Sequence, residues 1–229
     1  MRTFNVRKLA LAGLFSLGTI AFAAQAQAQN GFWGGDEHIP SLNIAPAAID
    51  IDVPMPVSSG NLQLMLAQAT SGGGLADLKQ QALRIYTQHL HSELARELTD
   101  YLDGEDVPLV QQDGVLSLQN NLKLKVIKHL SAIKPQKSYD LEQGNIALTG
   151  EFSYMLQNRS GTALREQRIT IDDLDITRKY AIRTYHDGRE GSDNTEEAIK
   201  KALTELVEEL VESMESNLEA DQLKEMAAL

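Results

Sequence analysis

Apolar and polar residues alternate along most of the chain between residues 114 and 186. Leu122, Leu124 and Val126 alternate with lysines, and the segment 146–156 continues the pattern with an apolar or small residue at every second position. A period of two places successive side chains on opposite faces of a β-strand. Consecutive strands that are joined by short turns pair antiparallel. The region therefore predicts an antiparallel β-meander of about four to five strands.

Two segments that flank this region have the periodicity of amphipathic helices. Apolar residues recur at the helical period throughout the segment 75–102. The second segment follows Asp193 and Asn194, either of which could form a reciprocal cap with a glutamate three residues later, and it continues to Leu218. Each amphipathic helix needs an apolar surface to cover. The sequence thus predicts an α+β fold, with two long amphipathic helices on one face of the antiparallel sheet, in the order helix, strands, helix.

The N-terminal segment is typical of a secretory signal peptide. Three basic residues precede an apolar stretch at 9–24, and residues 24–28 (AQAQA) have small side chains at the spacing of a cleavage site. The apolar stretch is short for a bilayer span, which needs about 20 residues, so a retained anchor is the weaker alternative. We expect residues 1–28 to be removed, leaving a periplasmic or secreted protein with no transmembrane segment.

The remaining chain divides into three parts by composition. Residues 29–74 are rich in proline and glycine and predict a flexible N-terminal arm, in which Ile49 and Ile51 alternate with aspartates and allow one short strand. Residues 75–218 predict a single α+β domain, and residues 219–229 a C-terminal tail.

The chain is acidic and contains no cysteine, with 21 Lys and Arg residues against 32 Asp and Glu residues. The missing thiol excludes disulfide bonds, thiolate zinc sites, iron–sulfur clusters and a cysteine nucleophile. The acidic balance argues against general nucleic-acid binding. We find no nucleophile elbow, zinc-protease motif or phosphate-binding loop, so the sequence predicts neither a catalytic residue nor a cofactor.

Basic residues are concentrated among the predicted strands, although the chain as a whole is acidic. Lys123, Lys125, Lys179 and Arg183 are out of phase with the apolar residues of their strands, so alternation places them on the sheet face opposite the helices. Such a face can attract an anionic partner. The alternative interpretation is that these are solvating charges balanced by their neighbours.

Two smaller groups are further candidates. Phe32 and Trp33 lie in the glycine-rich arm and could dock into a partner, or pack against their own domain. His89, Glu93 and Glu97 follow one another at four-residue spacing, which stacks them on one helix face and could supply metal ligands. A solvated helix edge is the commoner explanation of such a row.

The sequence as a whole predicts a non-catalytic periplasmic binding or envelope-accessory protein. It would act through the basic sheet face or the N-terminal arm, and its partner would be an envelope protein or an anionic envelope component. The alternative function is a periplasmic hydrolase or metal-binding protein, with a site assembled from dispersed histidines and carboxylates.

Overall fold

The structure, a computed structural model, describes residues 38–55 and 74–229. The predicted signal peptide (1–28) and the aromatic pair Phe32 and Trp33 lie outside the described residues. Within them, no helix combines the length and the apolar character needed to cross a membrane.

A long antiparallel hairpin forms the centre of the sheet. Strands β4 (Leu116–Pro135) and β5 (Tyr139–Asn158) have 20 residues each and pair along their whole length. Strand β6 (Ala163–Thr170) pairs with the C-terminal half of β5, and β7 (Thr177–Tyr185) pairs with its N-terminal half. In a simple meander, β7 would pair with β6. Here both strands pair with β5 instead, and they are short enough to lie end to end along the same edge of it. Strand β8 (Ser192–Asp193) adds to β7.

The other edge of the hairpin corrects the prediction of a purely antiparallel sheet. Strands β1 (Leu42–Ile44) and β2 (Ala48–Asp52) both pair parallel to β4, and β3 (Leu109–Val110) pairs parallel to β1. Over the described residues, the sheet thus has eight strands rather than four to five, and it is mixed. Parallel pairing needs a long crossover, and the chain between β2 and β4 supplies one because it contains a helix. Strands β1 and β2 lie within the predicted arm, for which the sequence allowed one short strand at the position of β2.

In the ranges 38–55 and 74–229, three helices accompany the sheet, and the α+β class is confirmed. Helix α1 spans Gly74–Gly104, α2 spans Thr195–Leu218 and α3 spans Ala220–Ala227. The apolar stripes of α1 and α2 share one hydrophobic core with the inner face of the sheet. The segment 219–229, predicted as a tail, contains α3, whose Leu223 and Met226 are buried.

The start of α2 differs from the predicted reciprocal cap. Asp193 Oδ1 accepts a hydrogen bond of 2.8 Å from the backbone N–H of Thr195. The side chain of Asn194 instead accepts one of 2.7 Å from the backbone N–H of Ala181 on β7. Asn194 therefore ties the helix start to the sheet, a tertiary contact that local capping patterns do not reveal.

Strict alternation along β4 separates an inner and an outer face of the sheet. Leu118, Leu122, Leu124 and Val126 are buried on the inner face, whereas the residues between them are mostly exposed. The register of β4 against β5 shifts between Leu130 and Ala132, which is a β-bulge that reverses this phase. Beyond the bulge, the even-numbered residues of β4 lie on the outer face.

Candidate functional site

The four predicted basic residues all lie on the outer face of the sheet. Lys123 and Lys125 are exposed beside buried leucines on β4, and Lys179 and Arg183 are exposed beside buried Tyr180 and Ile182 on β7. The two pairs lie in different rows of the sheet and have different cross-strand neighbours.

The pair on β4 lies among carboxylates. Lys123 is in register with Asp50 on β2 and with Glu151 on β5, and Lys125 is in register with Asp52. A hydrogen bond of 2.9 Å from Lys79 lowers the pKa of Asp52, and the charge of Lys125 lowers it further. Opposite charges on adjacent strands stabilise the pairing. These two lysines therefore fit the interpretation of balanced surface charges.

The pair on β7 has neutral or basic neighbours. Lys179 on β7 is in register with Asn145 on β5, which is in turn in register with His129 on β4. In the same way, Arg183 is in register with Leu141 on β5, and Leu141 with Lys134 on β4. Strands lie about 4.8 Å apart, so the two basic residues of one row are about 10 Å apart. We name His129, Lys134, Lys179 and Arg183 the distal basic patch. Among the described residues, the outer face carries no carboxylate in these two rows.

Aromatic rings support the distal basic patch at its outer end. The rings of Tyr139 and Tyr185 meet edge to face, with centroids 5.7 Å apart. The guanidinium of Arg183 lies 4.8 Å from the centroid of the Tyr139 ring, and that of Arg189 lies 3.8 Å from the Tyr185 ring. A hydrogen bond with Tyr185 raises the pKa of Arg183. The ring contact fixes the direction of Arg183 without neutralising it, whereas Arg189 also pairs with Asp187 at 3.4 Å.

Two apolar side chains are exposed near the same end of the hairpin. Leu130 is 55% exposed and Ile133 is 50% exposed, and both lie on the inner face of β4. Large apolar side chains grouped at a surface commonly mark a binding region. The end of the β4–β5 hairpin thus combines cations, tyrosines and exposed aliphatic residues.

The row His89, Glu93 and Glu97 is not assembled as a ligand set. His89 Nε2 lies 3.1 Å from the Thr204 hydroxyl of α2, so it links the two long helices. Arg96 pairs with Glu93 at 2.8 Å and with Glu97 at 2.6 Å. Among the described residues, no group of three or more histidines and carboxylates could hold a metal ion.

A buried ion pair on the inner face was missed by the sequence interpretation. Lys128 Nζ lies 2.8 Å from Glu142 Oε1, and the two side chains are only 15% and 9% exposed. The hydroxyl of Tyr180 donates to the same Glu142 oxygen at 3.2 Å, and burial raises the pKa of Tyr180 to about 12. The alternation pattern could have revealed this pair. Lys128 is in phase with the buried residues of β4, and Glu142 is in phase with the buried residues of β5.

This ion pair borders a groove of about 360 Å³ between the starts of α1 and α2. Its walls are mainly apolar and include Met55, Ile85, Tyr86 and Ile199, with Lys128 among the lining residues. Burial, with the charges of Glu196 and Asp193, raises the pKa of Tyr86 to about 12.

Comparisons with known proteins give weak structural likenesses and no family. No family model matches the chain, and the search of curated proteins found no match. A solved structure described as a neuraminyllactose-binding hemagglutinin homolog from Helicobacter pylori is 9% identical, with a TM-score of 0.47 over 84% of this chain and 89% of that chain.

Two lipoproteins are less similar. A minor lipoprotein from Acinetobacter baumannii is 15% identical, with a TM-score of 0.28 over 57% of this chain and 84% of that one. A lipoprotein from Neisseria meningitidis is 13% identical, with a TM-score of 0.18 over 76% of this chain and 97% of that one. All three are bacterial proteins, and TM-scores below 0.5 carry no argument about function.

Proposed function

We propose that this chain is a non-catalytic binding protein of the bacterial envelope, and that the distal basic patch binds an anionic lipid surface. The observation that carries the proposal is that, in the part of the chain that the structure describes, the two rows with Lys134, Lys179 and Arg183 have no outer-face carboxylate. The chain has a formal net charge of −11, so this patch is a local exception. A positive surface region attracts anions even when the whole molecule is acidic.

The surroundings of the patch favour lipid over a soluble anion. Tyr139 and Tyr185 flank the arginines, and Leu130 and Ile133 are exposed on the other face of the same hairpin end. Tyrosines, cations and aliphatic side chains together are typical of segments that lie at a membrane–water interface. Electrostatic attraction and apolar contact then act together, as in other peripheral membrane binding.

The location in the envelope rests on the N-terminal sequence. The basic residues, the apolar stretch and the AQAQA segment support export across the inner membrane. Phe32 and Trp33 support a second contact from the arm on sequence grounds alone. The alternative of a hydrolase or metal-binding protein gains no support from the described residues, because the metal-ligand row is engaged in other contacts.

A pair of double charge reversals tests the proposal. The chain without residues 1–28 is mixed with phosphatidylcholine vesicles that either contain or lack phosphatidylglycerol, and the bound fraction is measured by co-sedimentation. Each basic residue near an anionic membrane contributes about 1 kcal/mol, so the change of Lys179 and Arg183 to glutamate is expected to weaken binding by roughly 30-fold or more.

The matched control changes Lys123 and Lys125 to glutamate. It alters the net charge by the same amount, and binding is expected to change only a few-fold because these lysines are already balanced by Asp50 and Asp52. Equal losses in both double variants would show that only net charge matters. Failure of the unmodified chain to bind phosphatidylglycerol vesicles would reject the lipid proposal outright.

A further inference from the structure

A buried side-chain amide on the inner face of β4 has no hydrogen-bond partner among the described residues. Asn120 is only 4% exposed, and neither its Nδ2 nor its Oδ1 is hydrogen-bonded to any residue of 38–55 or 74–229. It lies between the buried residues Leu118 and Leu122, in register with Tyr154 on β5. The Tyr154 hydroxyl is itself bonded to Gln167, at 2.8 Å, so it does not serve Asn120.

The unpaired amide lies where β4 loses its neighbouring strand. Strand β1 ends at Ile44, opposite Leu118, and β2 begins at Ala48, opposite Asn121. The intervening residues 45–47 leave the ladder after the backbone N–H of Ala45 donates to Leu118 O at 2.9 Å. This departure opens a gap in the sheet beside Asn120.

Two cavities beside this gap share Ala45, Pro46 and Asn120 as lining residues. One has a volume of about 340 Å³ and is bounded by α1, with Ile44, Leu94 and Leu98 among its apolar walls. The other has a volume of about 310 Å³ and is lined in part by Ser153 and Glu166. Asn120 lines both cavities. Spaces of this size accommodate small organic ligands.

A buried polar group without a partner is unfavourable, because the hydrogen bonds that it makes to water in the unfolded chain are not replaced. A leucine at position 120 would fit the pattern of its neighbours Leu118 and Leu122 and would avoid this cost. Unpaired buried polar groups therefore call for an explanation, and a bound molecule that pairs with the amide provides one.

We propose that the cavities at Asn120 bind a small neutral molecule that carries a primary carboxamide or a cyclic amide. In such groups, the N–H and the C=O point in the same direction. The N–H can therefore donate to Asn120 Oδ1 while the C=O accepts from Asn120 Nδ2, and both unpaired atoms are satisfied at once. The apolar part of the molecule packs against Ile44, Leu94 and Leu98.

Other ligand chemistries fit less well. A carboxylate offers two acceptors and would leave Oδ1 unpaired, and it would also bring a charge into a largely apolar cavity. An ammonium group offers only donors and would leave Nδ2 unpaired. The site is separate from the distal basic patch, and the proposal does not depend on lipid binding.

The test uses benzamide, benzoate and acetophenone, which have similar shapes but differ in their hydrogen-bonding groups. Each is titrated into the ¹⁵N-labelled chain without residues 1–28, and the side-chain amide signal of Asn120 is followed by NMR. Benzamide is expected to shift this signal in a saturable way. Benzoate and acetophenone, each of which lacks the donor, are expected to bind at least ten-fold more weakly.

Two variants complete the design. Asn120→Leu keeps the branched shape of the side chain and Asn120→Ala enlarges the space, and both remove the amide. Backbone signals of residues around the cavity report on binding in these variants, and both are expected to lose benzamide binding by at least ten-fold. Unchanged benzamide binding in either variant, or no saturable shift in the unmodified chain, would overturn the proposal and leave ordered water as the partner of Asn120.

Discussion

Replacing Glu142 with leucine is expected to destabilise the protein by about 3 kcal/mol. Glu142 lies 2.8 Å from the Lys128 ammonium and accepts a hydrogen bond from the Tyr180 hydroxyl. Removal of one partner from a buried ion pair typically costs about 3–5 kcal/mol, because the remaining charge stays buried without compensation. The Lys128 side chain retains 15% exposure, which lets its ammonium reach solvent in part and favours the lower end of that range.

A double variant separates the ion pair from the general effect of changing a core position. Lys128→Met combined with Glu142→Leu removes both charges and leaves apolar side chains of similar length. Such replacements are often neutral or stabilising. The free energy of unfolding of the double variant is therefore expected to lie within about 1 kcal/mol of that of the unmodified chain. It should be well above that of the Glu142→Leu single variant.

Urea denaturation followed by far-UV circular dichroism at neutral pH measures all three free energies of unfolding. Equal slopes against urea concentration would show that the variants expose similar surface on unfolding. A loss of less than about 1 kcal/mol in Glu142→Leu is typical of exposed ion pairs and would contradict a buried, uncompensated charge. The same holds if adding Lys128→Met does not recover any of the lost free energy of unfolding.

Three further outcomes follow from single residues. Gly150 has a φ of +141°, and a Cβ added there would lie 2.1 Å from the carbonyl oxygen of Lys123. Gly150→Ala is therefore expected to lower the melting temperature sharply. Gly104→Ala is the control and should not lower it, because a Cβ at Gly104 would meet no atom within 4 Å. Because the pKa of Tyr180 is raised from 10 to about 12, its contribution of about 3 kcal/mol to folding is fully present below pH 10. This contribution should disappear between pH 10 and 12, which alkaline denaturation measures with Tyr180→Phe as the reference. Asn120→Leu should raise the free energy of unfolding in urea by about 1 kcal/mol, because it removes an unpaired buried amide, and a loss of stability would contradict this account.

Local patterns predicted the elements and their buried faces well. The helical periodicity of residues 75–102 corresponds to α1 at Gly74–Gly104, and the second helix ends at Leu218 as expected. Alternation also placed Lys179 and Arg183 on the outer face. These properties depend on neighbouring residues, so a single sequence contains enough information to derive them.

Long-range pairing was beyond the local patterns. The charge balance at Lys123 depends on Asp50, and only the pairing of β2 with β4 brings these residues together. The sharing of β5 by β6 and β7 likewise depends on strand lengths and on the 3-10 helix Ile171–Leu174 between them. The sheet order was therefore needed to tell which of the predicted basic residues have carboxylates as cross-strand neighbours and which do not.

The parallel pairing of β2 with β4 has a consequence for the order of folding. A tight turn joins β4 to β5, and the pairing begins at Pro135 and Asp140. By contrast, the paired residues Ala48 on β2 and Asn121 on β4 are more than seventy residues apart in the chain. Closing a long loop costs more entropy than closing a short one, and distant contacts slow folding. The central hairpin is thus expected to form early, and β1 and β2 to dock late. The gap at Asn120, which lies between these two strands, would then be completed only in the last step of folding.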